Sequence, residues 1–168
     1  MGTAVPHQAP QIKGPRRFFT ALVGSGLFTG YFPIAPATVT SFFTLLPVYL
    51  LTRHRLWLGQ ALAIVGLFFW GVVIATDLER VWGKDPKRVT IDEIVGTLIT
   101  FFLVPYSVKV LVLGFFVWRF FDIVKLPFIR KSQALPGGWG VMIDDVLAGI
   151  CANLLLQVVI RLLPVLRQ

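Results

Sequence analysis

Long apolar segments separated by short charged ones most constrain what this chain can fold into. The segments cover residues 34–52, 57–76, 94–104, 107–121 and 142–163. The second and the last are long enough to cross the hydrocarbon core of a bilayer as helices. The third and fourth are shorter and are divided at Pro105, so they form either two short helices or one broken helix. We therefore expect an all-α, polytopic membrane bundle with about five short spans.

The composition supports the same class of protein. Hydrophobic residues make up 56% of the 168 residues, charged residues 14%, and the mean hydropathy is +0.78. A soluble domain of this length is less apolar. The net charge of +8 could indicate a nucleic-acid-binding protein. The cations punctuate apolar spans, however, so we exclude nucleic acid and favour anionic lipid or a phosphorylated substrate as the partner.

The N-terminal part of the chain has two distinct features. We expect residues 1–13 to be a disordered tail and residues 14–168 to be a single domain. A basic and then apolar stretch begins at Lys13 and resembles a signal peptide, but Gly and Pro interrupt it and no cleavage site closes it, so we interpret it as retained. The stretch GSGLFTGYFPIAPAT at residues 24–38 is too irregular for a plain helix. Such backbone at membrane depth must be buried or line a polar cavity, so we expect a re-entrant or interfacial segment.

The charged residues predict an orientation. With five spans and a cytoplasmic N-terminus, eleven Lys and Arg residues fall on the cytoplasmic side and five on the other. This distribution follows the positive-inside rule. Every acidic residue falls on the cytoplasmic side as well: Asp77, Glu79, Asp85, Asp92, Glu93, Asp122, Asp144 and Asp145. We therefore expect all the carboxylates to lie in one interfacial layer.

The acidic residues form three clusters at predicted helix ends, within residues 77–96, 119–131 and 137–145. Carboxylates from different helix ends can converge on Mg²⁺, which takes oxygen ligands and often binds a substrate phosphate as well. Neighbouring Lys and Arg side chains can hold phosphate oxygens. The clusters are therefore consistent with a metal-assisted phosphate site.

Each cluster also has an ordinary structural interpretation. Asp92 and Glu93 could be first-turn charges that stabilise a helix N-terminus. Arg119 and Asp122 could form an ion pair on one helix face. These alternatives remain open from the sequence alone.

The pair Asp144 and Asp145 favours a metal site over a structural role more clearly than the other two clusters do. It follows Gly137, Gly138 and Gly140, which form either a simple turn or a close approach of backbone to a phosphate. The pair could cap the last helix. Adjacent carboxylates repel each other, however, and a cap needs only one of them.

Other phosphatase chemistries are excluded by missing residues. A cysteine phosphatase needs an Arg six residues after its Cys, but Gln157 follows Cys151 at that spacing. A histidine lipid phosphatase needs two catalytic histidines, but His7 and His54 lie outside the charged clusters. The Asp-x-Asp motif of phosphatases with an aspartate nucleophile does not occur, and neither does the Asp-Gly with which the motif of the alcohol phosphotransferases begins. A metal–carboxylate site remains if the chain transfers phosphoryl groups.

Four motifs, in this order, resemble those of the phosphatidylglycerophosphatase A family over about residues 22–155. They are GSGLFTGYFPIAPAT, KDPKRVTIDEIVG, RFFDIVKLPFIR and GGWGVMIDDVLAG. The last is similar to the long family pattern Gly-Gly-x-Gly-x-Met-x-Asp-Asp-x-x-Ala-Gly. Departures from the family patterns occur at Ala37, Lys84, Ile91 and Leu126, and none of them removes a carboxylate.

The resemblance implies a Mg²⁺-dependent enzyme of the bacterial inner membrane. It would hydrolyse phosphatidylglycerophosphate to phosphatidylglycerol and phosphate at a site that faces the cytoplasm. The implied metal-binding and catalytic residues are Asp92, Glu93, Asp122, Asp144 and Asp145, with Asp77 or Asp85 as additional ligands. The implied phosphate-binding residues are Arg119, Lys125 and Arg130.

Several alternatives remain open at this stage. A small ion or proton transporter would also use membrane carboxylates, but it would place them near the bilayer midplane. A structural membrane subunit would not need so many acids on one side. For the enzyme, attack by activated water and attack by a carboxylate remain alternatives. The metal count and the oligomeric state are not predicted.

Overall fold

The computed structural model describes residues 15–83 and 86–167, and every regular element in these ranges is helical. The α-helices are α1 (Pro15–Gly24), α2 (Pro36–Arg53), α3 (Trp57–Trp82), α4 (Ile91–Thr100), α5 (Val108–Val124), α6 (Pro127–Ser132) and α7 (Gly138–Leu162). Short 3₁₀ turns occur at Thr29–Tyr31 and Pro164–Arg167. The all-α prediction is confirmed for these residues, whereas the predicted tail at residues 1–13 lies outside them.

Two of the described helices are long and apolar enough to cross a membrane. They are α3, with 26 residues, and α7, with 25 residues. The predicted number of about five spans is therefore not confirmed. Helix α4 has 10 residues, which gives a rise of about 15 Å, or half of the hydrocarbon thickness. The apolar segments at residues 34–52, 94–104 and 107–121 also form helices, of 18, 10 and 17 residues, which are shorter than α3 and α7.

The third and fourth apolar segments are two separate helices, which decides between the two alternatives above. Residues 101–107 join α4 to α5 without helical structure, and Pro105 lies within this connection. The amide of Asn153 donates to the carbonyl oxygens of Thr100 at 2.9 Å and Phe102 at 2.8 Å. Gln60 donates to the Leu98 carbonyl at 2.8 Å. The carbonyls at the end of α4 thus find side-chain donors in an otherwise apolar core.

Helix α7 lies at the centre of the molecule and packs against α3, α4, α5 and α6. Two glycines bring α7 close to α4, because a Cβ atom at Gly149 would lie 2.7 Å from the carbonyl oxygen of Gly96. The indole ring of Trp118 on α5 lies against the other side of Gly96. Helices α4 and α7 run in the same direction here, since Gly96 meets Gly149 and Thr100 meets Asn153.

The segment after α1 is irregular, as predicted. Gly26, Leu27, Phe28 and Ala35 all have positive φ angles, between 48° and 68°. The backbone N–H of Thr90 donates to the Gly24 carbonyl at 2.8 Å. This segment therefore packs against the residues that lead into α4.

The described acidic residues lie at one end of the bundle. They occur at the C-terminal ends of α3 and α5 and near the N-terminal ends of α4 and α7. These ends meet in space, because the backbone N–H of Gly138 donates to the Thr76 hydroxyl at 2.8 Å. Asp85 lies outside the described residues. The predicted clustering therefore holds for the seven acids that are described, and their side of the membrane remains a prediction.

Candidate active site

Three buried carboxylates from three different helices converge at this end of the bundle. Glu93, Asp122 and Asp145 each offer one oxygen, and the three oxygens lie within 4.8 Å of one another. Their exposed fractions are 6%, 7% and 2%. Three buried anions at this separation repel one another and are costly to desolvate, so they need compensating positive charge.

The packing of the helices explains why these three residues meet. Glu93 lies in the first turn of α4, Asp122 near the end of α5, and Asp145 in the second turn of α7. Each lies within about one turn of the crossing where Gly96 contacts both neighbouring helices. The close approach of backbones at Gly96 and Gly149 therefore brings the carboxylates together.

Arg119 compensates part of the charge. Its Nη1 atom lies 2.7 Å from a Glu93 oxygen and 3.0 Å from an Asp122 oxygen. The structure therefore contains the i,i+3 ion pair between Arg119 and Asp122 that the sequence suggested. The same guanidinium also joins α5 to α4 through Glu93. This arrangement reconciles the ordinary interpretation with the functional one, since the pair is part of the cluster.

Ser41 is a residue of this site that the sequence analysis missed. Its hydroxyl is buried and donates to Glu93 at 2.9 Å, and it accepts a hydrogen bond from the indole N–H of Trp118 at 3.2 Å. Burial raises the pKa of Glu93, while Arg119 and the Ser41 hydrogen bond oppose this rise. The available signal was the position of Ser41, less than one helical turn after the motif GSGLFTGYFPIAPAT.

Lys125 forms a second charge-compensating contact. Its Nζ atom lies 2.5 Å from an Asp144 oxygen and 3.7 Å from an Asp122 oxygen. Burial alone would lower the pKa of Lys125, but the charges of Asp145, Asp144 and Asp122 outweigh it and raise that pKa. The backbone of Lys125 has φ of 40°, in the region that favours glycine. Strained backbone of this kind is common where a side chain must be held in place.

Asp144 and Asp145 have different environments although they are neighbours. Asp144 accepts hydrogen bonds from Lys125 and from the amide of Gln133, the latter at 2.8 Å. Asp145 belongs to the group of three carboxylates. Neither caps α7, because the helix begins at Gly138 and Gly137 precedes it without a side-chain cap. The capping interpretation of this pair is therefore wrong. Gln133 is a second residue that the sequence analysis missed.

The group of three carboxylates carries more negative charge than the cations that the described residues place against it. Arg119 contacts Glu93 and Asp122, Lys125 lies 3.7 Å from Asp122, and no ion pair in the described ranges joins Asp145 to a cation. The side-chain Oδ2 atom of Asp145 is buried and has no hydrogen-bond partner among the described residues. Surplus negative charge, buried oxygen donors and an unsatisfied carboxylate oxygen together fit a hard cation such as Mg²⁺.

The remaining predicted residues lie around this centre. Asp92 accepts a hydrogen bond from the backbone N–H of Glu93 at 3.0 Å and lies outside the group of three, although its charge interacts with that of Asp145. Arg130 donates to the Val124 carbonyl at 3.2 Å, and no hydrogen bond or ion pair among the described residues joins it to the carboxylates. Asp77 is paired with Arg80 at 3.5 Å.

A polar pocket of about 350 Å³ adjoins the carboxylates, and Glu79, Gln133 and Asp144 lie in its wall. Gly137 and Gly140 also line it, so the predicted glycine-rich turn forms the first turn of α7 and one wall of the pocket. A Cβ atom at Gly140 would lie 2.7 Å from the Leu135 carbonyl oxygen. Glycine is therefore required for close packing at this position.

Fold and site together define a class: an all-helical chain with two apolar helices of membrane-spanning length and buried carboxylates converging at one end. The family model described as Phosphatidylglycerophosphatase A matches residues 22–160. The chain belongs to this family, and it is a phosphatase, an enzyme of the hydrolase class.

Three individual bacterial relatives carry the names of lipid phosphatases. The chain is 38% identical over 148 residues to a protein of Bacteroides thetaiotaomicron named "Putative phosphatidylinositol-3-phosphatase", covering 84% of this chain and 93% of the relative. It is 29% identical over 132 residues to Phosphatidylglycerophosphatase A of Escherichia coli, covering 77% and 76%. It is 40% identical over 70 residues to Phosphatidylglycerophosphatase A of Haemophilus influenzae, covering 40% and 43%. No solved structure matches this chain.

Proposed function

We propose that this protein is a Mg²⁺-dependent lipid phosphatase that hydrolyses phosphatidylglycerophosphate to phosphatidylglycerol and inorganic phosphate. The observation that carries the proposal is the convergence of the Glu93, Asp122 and Asp145 carboxylates within 4.8 Å. Membership of the phosphatidylglycerophosphatase A family supplies the reaction class. We place the site at the cytoplasmic surface of the bacterial inner membrane, where a phospholipid headgroup can reach it while the acyl chains stay in the bilayer.

Glu93, Asp122 and Asp145 would hold the metal directly, with Asp92 and Asp144 as flanking ligands. When bound, Mg²⁺ supplies positive charge that polarises a phosphoryl group and increases the acidity of water. Arg119 holds two of the three carboxylates in position. The Ser41 hydroxyl, on α2, fixes the orientation of the Glu93 side chain on α4.

Of the three predicted phosphate-binding residues, Arg119, Lys125 and Arg130, Lys125 has the best position for contact with the substrate phosphate. An ammonium group has three donors, so a lysine that binds Asp144 and lies near Asp122 can still donate to a phosphate oxygen. The polar pocket beside Asp144 has room for the headgroup. Arg130 is exposed on α6 and would attract the phosphate to the site from outside the carboxylate cluster.

A transporter is the less favoured alternative. A path for ions or protons would need acidic residues along the length of the bundle. In the described part of the chain the carboxylates lie at one end, whereas the middle of α7 carries Ala148, Gly149 and Ala152 in an apolar core.

A second substrate is favoured by one specific observation. The Bacteroides relative, 38% identical over 84% of this chain, is named "Putative phosphatidylinositol-3-phosphatase", and this name suggests phosphatidylinositol 3-phosphate as the second substrate. Both lipids carry a phosphate monoester on a headgroup derived from a polyol, so both present the same reacting group to the carboxylates.

The test is release of inorganic phosphate from short-chain, dibutyryl phosphatidylglycerophosphate by the purified protein, with Mg²⁺ and with EDTA. Dibutyryl phosphatidylinositol 3-phosphate is assayed in parallel. We expect Mg²⁺-dependent release, with the higher kcat/KM for phosphatidylglycerophosphate. Preference for the inositol lipid would change the substrate assignment. Activity that is unchanged in EDTA would contradict the metal assignment, and no release from either lipid would contradict the proposed function.

A further inference from the structure

An apolar groove of about 510 Å³ lies beside the carboxylate centre, and its wall shares no residue with that of the polar pocket. It is formed by the turn after α1, the middle of α2 and one side chain of α4, Ile94. Along α2 it extends from Thr40 to Pro47, a rise of about 10 Å. The groove therefore follows α2 for about two turns, and exposed side chains such as Phe43 and Leu46 line it.

The groove is apolar although three threonines line it. The hydroxyl of Thr29 donates to the Gly26 carbonyl at 2.8 Å, that of Thr40 to the Pro36 carbonyl at 3.0 Å, and that of Thr44 to the Thr40 carbonyl at 2.8 Å. Each hydroxyl is thus satisfied by backbone. The groove offers no polar side chain to a ligand beyond these threonines, so hydrocarbon suits it.

The groove borders the carboxylate centre at two pairs of neighbouring residues. On α2, Ser41 donates to Glu93 while its neighbour Thr40 lines the groove. On α4, Glu93 belongs to the group of three carboxylates while its neighbour Ile94 lines the groove. The same parts of α2 and α4 therefore contribute residues both to the carboxylate centre and to the apolar groove.

We propose that this groove binds one acyl chain of the phospholipid substrate while its phosphate lies at the carboxylate centre. The proposal rests on the proposed function, since a lipid phosphate monoester carries its acyl chains covalently attached. The polar pocket beside Asp144 suits a headgroup and not hydrocarbon. The groove begins at Thr40, beside the serine that bonds to Glu93, and runs along α2, so the acyl chain would lie along this helix.

A second apolar groove offers a matched control. It has a volume of about 350 Å³ between α3, α4 and α7, and Phe102, Asn153 and Leu154 line it. These residues lie about two helical turns beyond Glu93 and Asp145, away from the charged end. An acyl chain attached to a phosphate at the carboxylates would not begin in this groove.

The experiment fills each groove with the same substitution. Leu46 lines the proposed groove and is 65% exposed, and Leu154 lines the control groove and is 60% exposed. We expect Leu46→Trp to lower kcat/KM for dioleoyl phosphatidylglycerophosphate about tenfold, the equivalent of about two methylene groups left unburied. It should leave kcat/KM for the dibutyryl lipid unchanged. Leu154→Trp should leave kcat/KM unchanged for both the dioleoyl and the dibutyryl lipid. Equal effects of the two tryptophans, or equal losses for the two lipids, would overturn the proposal.

A binding measurement on the native protein separates this proposal from the proposed function. Phosphatidylglycerophosphate with a diazirine on one acyl chain is bound and irradiated, and the labelled peptides are identified by mass spectrometry. If the groove binds the acyl chain, we expect label within residues 40–47 of α2, whether or not the lipid is turned over. Label concentrated within residues 61–65 and 150–154 would overturn it. Failure of the proposed function would appear instead as absence of phosphate release from the dibutyryl lipid.

Discussion

Gly149 of α7 faces Gly96 of α4 so closely that a methyl group at residue 149 would lie 2.7 Å from the Gly96 carbonyl oxygen. Backbone atoms cannot move aside as a flexible side chain can. The contact fixes the separation of the two helices one turn away from Glu93 and Asp145. The geometry of the carboxylate centre therefore depends on two residues that carry no functional group.

Gly149→Ala should separate these helices and disturb the site. A displacement of about 1 Å at a catalytic group can cost about a hundredfold in rate, so we expect a loss of kcat of this order, measured by phosphate release. Gly66→Ala on α3 is the control, because a Cβ atom there meets nothing within 4 Å. Alanine should even stabilise that helix slightly. Equal activity of the two variants would show that the close contact does not set the site geometry.

Ser41→Ala should lower activity and weaken the apparent affinity for Mg²⁺. It removes a hydrogen bond to Glu93 and leaves the buried Trp118 N–H without an acceptor. An unsatisfied buried donor costs about 1–3 kcal/mol, so the melting temperature should fall as well.

Thr52→Val on the same helix is the control for Ser41→Ala. The Thr52 hydroxyl is buried too, but it bonds only to the Val48 and Tyr49 carbonyls of its own helix. We expect this variant to keep the metal dependence of the native protein. A change in the Mg²⁺ titration as large as that of Ser41→Ala would argue against a specific role for Ser41.

Lys125→Ala should reduce kcat/KM far more than Lys109→Ala. Lys125 contacts Asp144 and Asp122, whereas Lys109 lies at the start of α5 and contacts the Val165 carbonyl at 3.5 Å. A lost hydrogen bond to a charged group is worth about 1.5–3 kcal/mol, which corresponds to about ten- to a hundredfold in rate. Steady-state kinetics on the dibutyryl lipid makes the comparison, and similar losses for both lysines would refute the assignment.

Mg²⁺ should stabilise the folded protein in the absence of substrate. A ligand that binds only the folded state adds about 2.7 kcal/mol at a concentration one hundred times its Kd. Thermal unfolding in detergent should therefore shift to higher temperature with Mg²⁺ relative to EDTA. Asp122→Asn, which keeps the side-chain volume, should remove most of this shift. A shift that persists in Asp122→Asn would place the stabilising ion elsewhere.

The sequence predicted the all-α class and the gathering at one end of the acidic residues, among them the three carboxylates that converge. It could do so because carboxylates such as Asp122 and Asp145 stand out in an apolar chain. The extent of the helices was less predictable. The run that contains residues 94–104 has the hydropathy of a span, yet α4 ends at Thr100, where side chains such as Asn153 provide donors for its last carbonyls.

The partners of each charge could not be predicted either. Arg119 and Asp122 are close in sequence, but the contact of Arg119 with Glu93 depends on the packing of α4 against α5 through Gly96. Ser41 and Gln133 are common polar residues, and only the fold places them on Glu93 and Asp144. The site is thus assembled by tertiary contacts that no local pattern contains.

The central claim is that Asp145 belongs to a metal centre that carries out phosphate hydrolysis. The most direct test measures kcat of Asp145→Asn across a Mg²⁺ titration, with detergent-solubilised thermal stability as the control. Asparagine keeps the volume and one oxygen but removes the charge, so we predict near-complete loss of phosphate release, a weaker response to Mg²⁺ and a folded protein. Near-normal turnover with the native dependence on Mg²⁺ would contradict the account, because Asp145 would then be a structural residue.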